Sequence, residues 1–221
     1  MLRCQLTSLL YFRPQCELRV FVPFDLSDTK IVEVINDFIP RIVTLVAVPL
    51  EREQMWRRSI ARNIAAKNDV DSDLIWFTDC DYLFGEGCLD AALDQWKIIK
   101  KPEMMFPRSY KSNHNKSIVD EFITIIKDFR EPILPPLHEF EHTDNRRAIG
   151  GLQIVSGEYV RNKGYLNREK WQTPPDVPFP EFYDDVVFRD DIINAKRRIE
   201  SILFLPNLYR MRHTEIGYII K

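Results

Sequence analysis

Leu74-Ile75-Trp76-Phe77-Thr78-Asp79-Cys80-Asp81 decides how the chain is read: an apolar run of strand length closes in two carboxylates with one residue between them. Side chains alternate in direction along a strand, so Asp79 and Asp81 leave its end on the same side. Together they are able to converge on one hard divalent cation through oxygen ligands. Such a cation neutralises a diphosphate. Parallel strands of open α/β sheets present their ligand sites at carboxyl ends, and this motif lies at such an end. A strand that merely stops in polar turn residues has the same spacing, so the surroundings must carry the argument.

Outward from that strand, helix and strand patterns alternate. On the N-terminal side, residues 51–67 carry a long helical pattern and residues 42–48 form a β-branched strand. Asp28 is positioned as the N-cap of a helix bearing Ile31, Val34, Ile35 and Phe38. Residues 18–22 read as a strand, and residues 2–12 as an amphipathic helix stopped by Pro14. On the C-terminal side, a helix over Leu89, Leu93 and Trp96 precedes a short strand at 104–106. Residues 115–129 look helical, and residues 131–147, with Pro132, Pro135 and Pro136, read as a loop. Gly150-Gly151 leads into a strand at 152–155. A Pro-rich segment at 173–180 reaches Tyr183-Asp184-Asp185, where a helix to about residue 199 begins; a last strand at 202–205 and a tail follow. Trp76, Trp96 and Phe106 are assigned to the core. This order predicts an α/β fold with a Rossmann-like, mixed, mostly parallel sheet flanked by helices.

Composition narrows the class. The 221 residues are 45% hydrophobic, enough for one sizeable core. Lys and Arg number 31 against 33 Asp and Glu, and the formal charge of −2 lacks the basic field that nonspecific nucleic-acid binding requires. No apolar stretch has the length of a transmembrane helix, and residues 1–4 carry no secretory pattern, so the chain reads as cytoplasmic. Cys4, Cys16, Cys80 and Cys88 have no metal-ligand spacing and read as free thiols.

The ordered set Arg58-Ser59-Ile60-Ala61-Arg62-Asn63-Ile64-Ala65-Ala66, Phe77-Thr78-Asp79-Cys80-Asp81, Gly150-Gly151, Asp184-Asp185 and Arg210-Met211-Arg212-His213 resembles the GT-A glycosyltransferases, specifically the inverting family-2-like and β-1,4-galactosyltransferase-like groups. The resemblance covers most of the chain and is weakest over residues 111–147. It implies one catalytic domain over 1–221, with residues 1–110 as the nucleotide- and metal-binding half and 111–221 as the acceptor-side half. The implied activity is metal-dependent, inverting transfer of a sugar from a nucleotide-diphosphate donor to a hydroxyl acceptor.

By the same resemblance, Asp81 coordinates Mn²⁺ or Mg²⁺, Asp79 contacts ribose or metal, and His213 is a distal metal ligand whose imidazole favours Mn²⁺. Inversion needs a base for the acceptor hydroxyl, and a carboxylate suffices. Asp184 and Asp185 stand where the family usually has Glu-Asp; Asp185 is the candidate base, with Asp184 beside it and Glu181 as an outside candidate. Both open a helix, where the dipole stabilises negative charge. Gly150 and Gly151 let backbone approach the donor phosphates or the acceptor, and Arg58 neutralises phosphate as a planar fork. Arg57 reads as a solvated helix residue, and Arg62 as either that or a phosphate ligand. Met211 is assigned to packing. Asp25, at the end of the first predicted strand, takes the place of an acid that contacts the nucleoside base.

One departure is plain. The family opens with an apolar strand that forms the middle of the sheet, whereas this chain opens with the helix that should follow it. Either a trimmed form or a start lying upstream is implied, and the sheet is expected to keep an unfilled position beside residues 18–24. An exposed strand edge invites pairing, so self-association through it is a further expectation. Two other functional readings stand behind the transferase. A haloacid-dehalogenase-type phosphatase also places Asp-x-Asp at a strand end, but on its first strand. A non-catalytic sugar-nucleotide binder is compatible with the absent strand.

Overall fold

Short runs of β-branched and aromatic residues, broken by polar turns, set the strands, and the stripes between them set the helices. The computed structural model describes residues 1–42, 44–69, 71–100, 102–126, 131–148, 150–176, 183–196 and 201–212. Its first half contains α1 (Leu2–Tyr11), β1 (Val20–Asp25), α2 (Thr29–Phe38), β2 (Leu45–Leu50), α3 (Arg52–Met55), α4 (Arg58–Asn68), β3 (Leu74–Phe77), β4 (Tyr82–Phe84), α5 (Cys88–Ile98) and β5 (Met104–Pro107). The second contains β6 (Ser109–Ser112), α6 (Lys116–Ile126), β7 (Glu141–Asp144), β8 (Gln153–Ser156), α7 (Gly157–Lys163), α8 (Glu169–Gln172), α9 (Asp184–Lys196), β9 (Ser201–Leu203) and β10 (Leu208–Arg210).

The strands form three groups among the described residues. The first is the parallel pair β1-β2, the second is a four-stranded sheet β3-β8-β5-β9, and the third is a four-stranded sheet β4-β10-β6-β7. In the second, β3 and β5 both run antiparallel to β8, while β9 runs parallel to β5. The predicted mixed α/β architecture is therefore present. Among the described residues β1 and β3 each pair on one side only, in line with the open position expected beside residues 18–24.

Helix α1 is packed into the core. Cys4 through Leu9 are all buried, because the helix is covered on most of its surface. Ser8 Oγ accepts the Phe84 amide at 3.1 Å, and the Gln5 amide donates to the Asp79 carbonyl at 2.9 Å. The helix thus braces both β4 and the turn that carries the two carboxylates. Asp28 caps α2 as expected, accepting the amides of Lys30 and Ile31, a device worth about 1 kcal/mol.

Four expectations are corrected. The helix expected over 51–67 is broken: Trp56 and Arg57 separate α3 from α4, and Arg57 has extended backbone. Arg57 is not a solvated residue; it is buried, with its guanidinium on the Lys170 carbonyl and over the Trp171 ring. The loop expected at 131–147 contains β7, a polar strand held to β6 by backbone pairing and by Ser112 and Thr143 hydroxyls 2.9 Å apart. The tail expected at 207–213 contains β10, which pairs with both β4 and β6. Trp96, Phe106 and Met211 are buried as predicted, and all four cysteines are free. No helix among the described residues is long and apolar enough to cross a membrane.

Candidate active site

The carboxyl end of β3, the Gly150-Gly151 turn and the N-terminus of α9 meet at one buried guanidinium. Arg62 projects from α4, where Ser59, Arg62, Asn63 and Ala66 share the buried face. It donates to Tyr165 Oη at 2.8 Å, Asp79 Oδ1 at 3.0 Å, and Gln153 Oε1 and the Gly150 carbonyl at 3.3 Å. Its charge lies over the rings of Phe77 and Tyr165. Burial alone would depress its pKa, but Tyr165, Asp79 and Asp184 outweigh it, and the group is held well above its ordinary value. Of the two alternatives left open for Arg62, the solvated helix face is therefore excluded. Tyr165, absent from the sequence expectations, is itself buried and its phenol is pushed up by that burial.

Around this centre the carboxylates take different roles. Asp79, whose side chain is 32% exposed, has Arg62 on one oxygen and Arg58 3.7 Å from the other. Arg58 also lies 3.5 Å from Asp184, which is buried and accepts the Asp185 amide. Asp185 Oδ2 accepts the Gly150 amide at 2.6 Å, and the Asp185 carbonyl accepts from Gln153. Arg58, Asp79, Gly150, Asp184 and Asp185 thus share one hydrogen-bonded and ion-paired cluster.

The two glycines are required for different reasons. Gly150 has φ of +55°, in the left-handed region. Gly151 is limited by space: a Cβ there would meet the Asp79 amide nitrogen at 2.6 Å and the Tyr82 ring at 2.7 Å. Its carbonyl accepts the Trp76 indole at 2.9 Å, so Trp76 is a half-buried clamp on this turn as well as a packing residue.

Asp81 points to a different partner. β10 runs antiparallel to β4 with Arg210 opposite Tyr82, and Arg210 Nε donates to Asp81 Oδ2 at 2.9 Å. The other oxygen, Oδ1, is buried with no hydrogen-bond partner among the described residues. Burial raises the Asp81 pKa, with Arg210 opposing the effect only in part. An orphaned, desolvated carboxylate oxygen is the donor a cation needs. No group of three or more metal-ligating side chains occurs among the described residues. A cation here would draw the rest of its shell from donor phosphates and water, the usual arrangement for Mg²⁺-type phosphate sites. Asp81 Oδ1 is thus the carboxylate oxygen of the pair left without a partner among the described residues, whereas Asp79 is already engaged by arginines. His213 and Glu181 lie outside the described residues.

Asp25 is not brought to the cluster. Its Oδ1 accepts the amide and hydroxyl of Ser27, bonds that hold its pKa below the ordinary value. No contact with Asp79, Asp184 or Asp185 is present among the described residues.

Comparison with solved structures bears on the fold. S. aureus TarS residues 1–349 superpose with a TM-score of 0.59 at 14% identity, over 95% of this chain and 56% of that one. A longer TarS chain gives a TM-score of 0.61 at 17% identity, over 96% of this chain and 34% of that one. The fold is of the GT-A type. At these identities the likeness is one of fold alone, and the chain spans only part of either TarS structure. No protein-family model and no curated protein matches the sequence.

Proposed function

We propose that the chain is a glycosyltransferase that uses a nucleotide-diphosphate sugar and a divalent cation to glycosylate a hydroxyl acceptor with inversion. The observation that carries the reading is the continuous chain Arg58–Asp79–Arg62–Gly150–Asp185, which ties the strand-end acids to a carboxylate at a helix N-terminus. The GT-A fold, together with the family resemblance set out above, supports the substrate class.

In this reading Asp81 Oδ1 is the protein's metal donor, with Mn²⁺ or Mg²⁺ supplying charge neutralisation for the leaving diphosphate. Arg58, 46% exposed and loosely held, is free to turn toward the donor phosphates. Asp185 takes the acceptor hydroxyl proton as that oxygen attacks the anomeric carbon and the bond to the diphosphate breaks. The Gly150 amide fixes the orientation of the Asp185 carboxylate, and Gln153 fixes its backbone.

Calorimetry with UDP and GDP, in Mn²⁺ and in EDTA, tests the reading. Diphosphate binding is expected to depend on Mn²⁺ and to be lost in Asp81→Ala. Asp185→Asn is expected to retain binding and lose transfer. Equal affinity in Mn²⁺ and EDTA defeats the metal bridge, and equal loss of binding in both variants defeats the division of roles.

A further inference from the structure

Arg62, Tyr165, Gln153, Asp185 and Gly150 close a ring of hydrogen bonds beside the carboxylate cluster. Arg62 Nη1 donates to Tyr165 Oη at 2.8 Å, and Tyr165 Oη lies 3.1 Å from Gln153 Oε1. Gln153 Nε2 donates to the Asp185 carbonyl at 2.7 Å, the Gly150 amide donates to Asp185 Oδ2 at 2.6 Å, and Arg62 Nη2 returns to the Gly150 carbonyl at 3.3 Å. Asp185 is thus gripped twice, by its carbonyl and by its carboxylate. Arg62 also holds Asp79, so the ring joins the acid beyond β3 to the acid at the start of α9.

Chemistry fixes the direction of these bonds. A guanidinium only donates, so Arg62 fills an acceptor position on the phenol oxygen and the phenol proton must point elsewhere. Gln153 Oε1 is the acceptor within its reach. The other end of that amide faces the carbonyls of Asp185 and Ala148, which only accept. Oxygen toward Tyr165 and nitrogen toward Asp185 is therefore the arrangement that matches donors with acceptors. Tyr165 and Gln153 are fully buried, so a bond removed from the ring leaves a desolvated polar atom behind. Burial also pushes the Tyr165 phenol pKa up, which keeps its proton in place.

The place of Tyr165 is set by other contacts. Its amide donates to Asn63 Oδ1 at 3.0 Å, which fixes it to the helix that carries Arg62, and its ring centre lies 4.7 Å from that of Phe77 and 4.0 Å from that of Phe188 on α9. We propose that Tyr165 is a positioning residue that links the donor side of the site to its base: held by Arg62, its hydroxyl orients the Gln153 amide, and that amide sets where Asp185 stands. The inference rests on the transferase reading, in which Asp185 takes the acceptor proton. Tyr165 acts through Gln153 and not on a substrate.

Tyr165→Phe removes the hydroxyl and keeps the ring contacts. The Gly150 amide reports the place of the Asp185 carboxylate, so its hydrogen exchange is compared with that of the Val155 amide in the core. Exchange at Gly150 should speed up by about tenfold relative to Val155, whereas Phe188→Leu, which loosens the same core and leaves the hydrogen-bonded ring intact, should not move the ratio. Gln153→Leu should repeat the effect, and the double variant should add nothing to it. In release of UDP or GDP from UDP- and GDP-hexoses, Tyr165→Phe should lower kcat by about 10–100-fold and leave KM within about twofold of the wild type, because Arg58 and Asp81 keep their contacts. An unmoved Gly150 ratio, additive single variants, or a loss in KM with kcat unchanged overturns the positioning role. UDP titrated in Mn²⁺ separates the two levels: no binding by the wild type sinks the transferase reading and the role of Tyr165 with it, while normal binding beside an unmoved Gly150 ratio sinks the role of Tyr165 alone.

Discussion

Replacing Arg62 with Met should be the most destabilising single change in the cluster, while replacing its neighbour Arg58 with Ala should cost almost nothing in stability. Arg62 is buried and serves Tyr165, Asp79, Gln153 and Gly150 together. Removing one partner of a buried charge pair costs about 3–5 kcal/mol, much of it from the charge left behind. Asp79 keeps 32% side-chain exposure and a second arginine at 3.7 Å, so the low end applies. Tyr165 keeps its 3.1 Å bond to Gln153, which limits the further loss. The expected cost is about 3 kcal/mol, or a fall of about 6–12 °C in Tm for a domain of this size. Arg62→Lys keeps the charge but not the fork and should fall between. Arg58 is 46% exposed with contacts at 3.5 and 3.7 Å, so Arg58→Ala should change stability by about 0–1 kcal/mol while weakening diphosphate binding. Urea titration and thermal melts give both numbers. A loss below about 1 kcal/mol for Arg62→Met, or equal losses for the two variants, would refute the argument.

Gly151→Ala forces a Cβ to within 2.6 Å of the Asp79 amide nitrogen; overpacking of this kind costs about 1–3 kcal/mol, and an unchanged Tm would show that the turn has room. The raised pKa of Asp81 means that the folded state keeps a proton the unfolded chain releases, so this group's contribution makes stability fall as pH rises from about 4. Asp81→Asn should flatten that slope in urea melts across the range, and an identical slope in the variant contradicts the assignment. Stabilisation by Mn²⁺ with UDP should instead grow with pH over the same window, since cation and proton compete for one carboxylate; a pH-independent shift in Tm rejects Asp81 as ligand. Asp28→Ala removes the cap of α2 and should cost about 1 kcal/mol, read as a small drop in Tm with donor binding intact.

The strand-end acids, the diglycine and the acidic helix start were legible because each is a local pattern with a geometric consequence. The apolar run of β3 led straight into the two acids, but both lie beyond its last residue, so alternation did not apply and Asp79 and Asp81 take different arginine partners; a helix start collects acids. Arg62 was legible in part. Ser59, Arg62, Asn63 and Ala66 fall at helical spacing on one face, so a residue in phase with them had to be buried and therefore paired; charge alone left both alternatives open. Strands β4, β6, β7 and β10 are three or four residues long, too short for a period to register. The chain Glu141-His142-Thr143-Asp144 has no apolar alternation at all, because that edge strand is held by backbone bonds to β6. Tyr165 had no signal beyond its own composition: it reaches Arg62 only through tertiary packing, with the Tyr165 amide donating to Asn63.

The charge of the cluster bears on why a cation belongs to the proposed reaction. Asp79, Asp81, Asp184 and Asp185 are set against Arg58, Arg62 and Arg210, so four carboxylates face three guanidiniums. A nucleoside diphosphate brings further negative charge into a space with no positive excess to receive it. Of the three arginines, Arg62 is fixed by burial and Arg210 is engaged by Asp81, which leaves Arg58 as the adjustable one. A single half-exposed guanidinium neutralises one charge at most, and does so in a partly aqueous setting where the gain is small. In the proposed reading, the orphaned Asp81 oxygen would hold a divalent cation that could supply the missing charge beside the leaving diphosphate. The proposed metal dependence accords with this charge balance among the described residues, and the calorimetric comparison of Mn²⁺ with EDTA tests it directly.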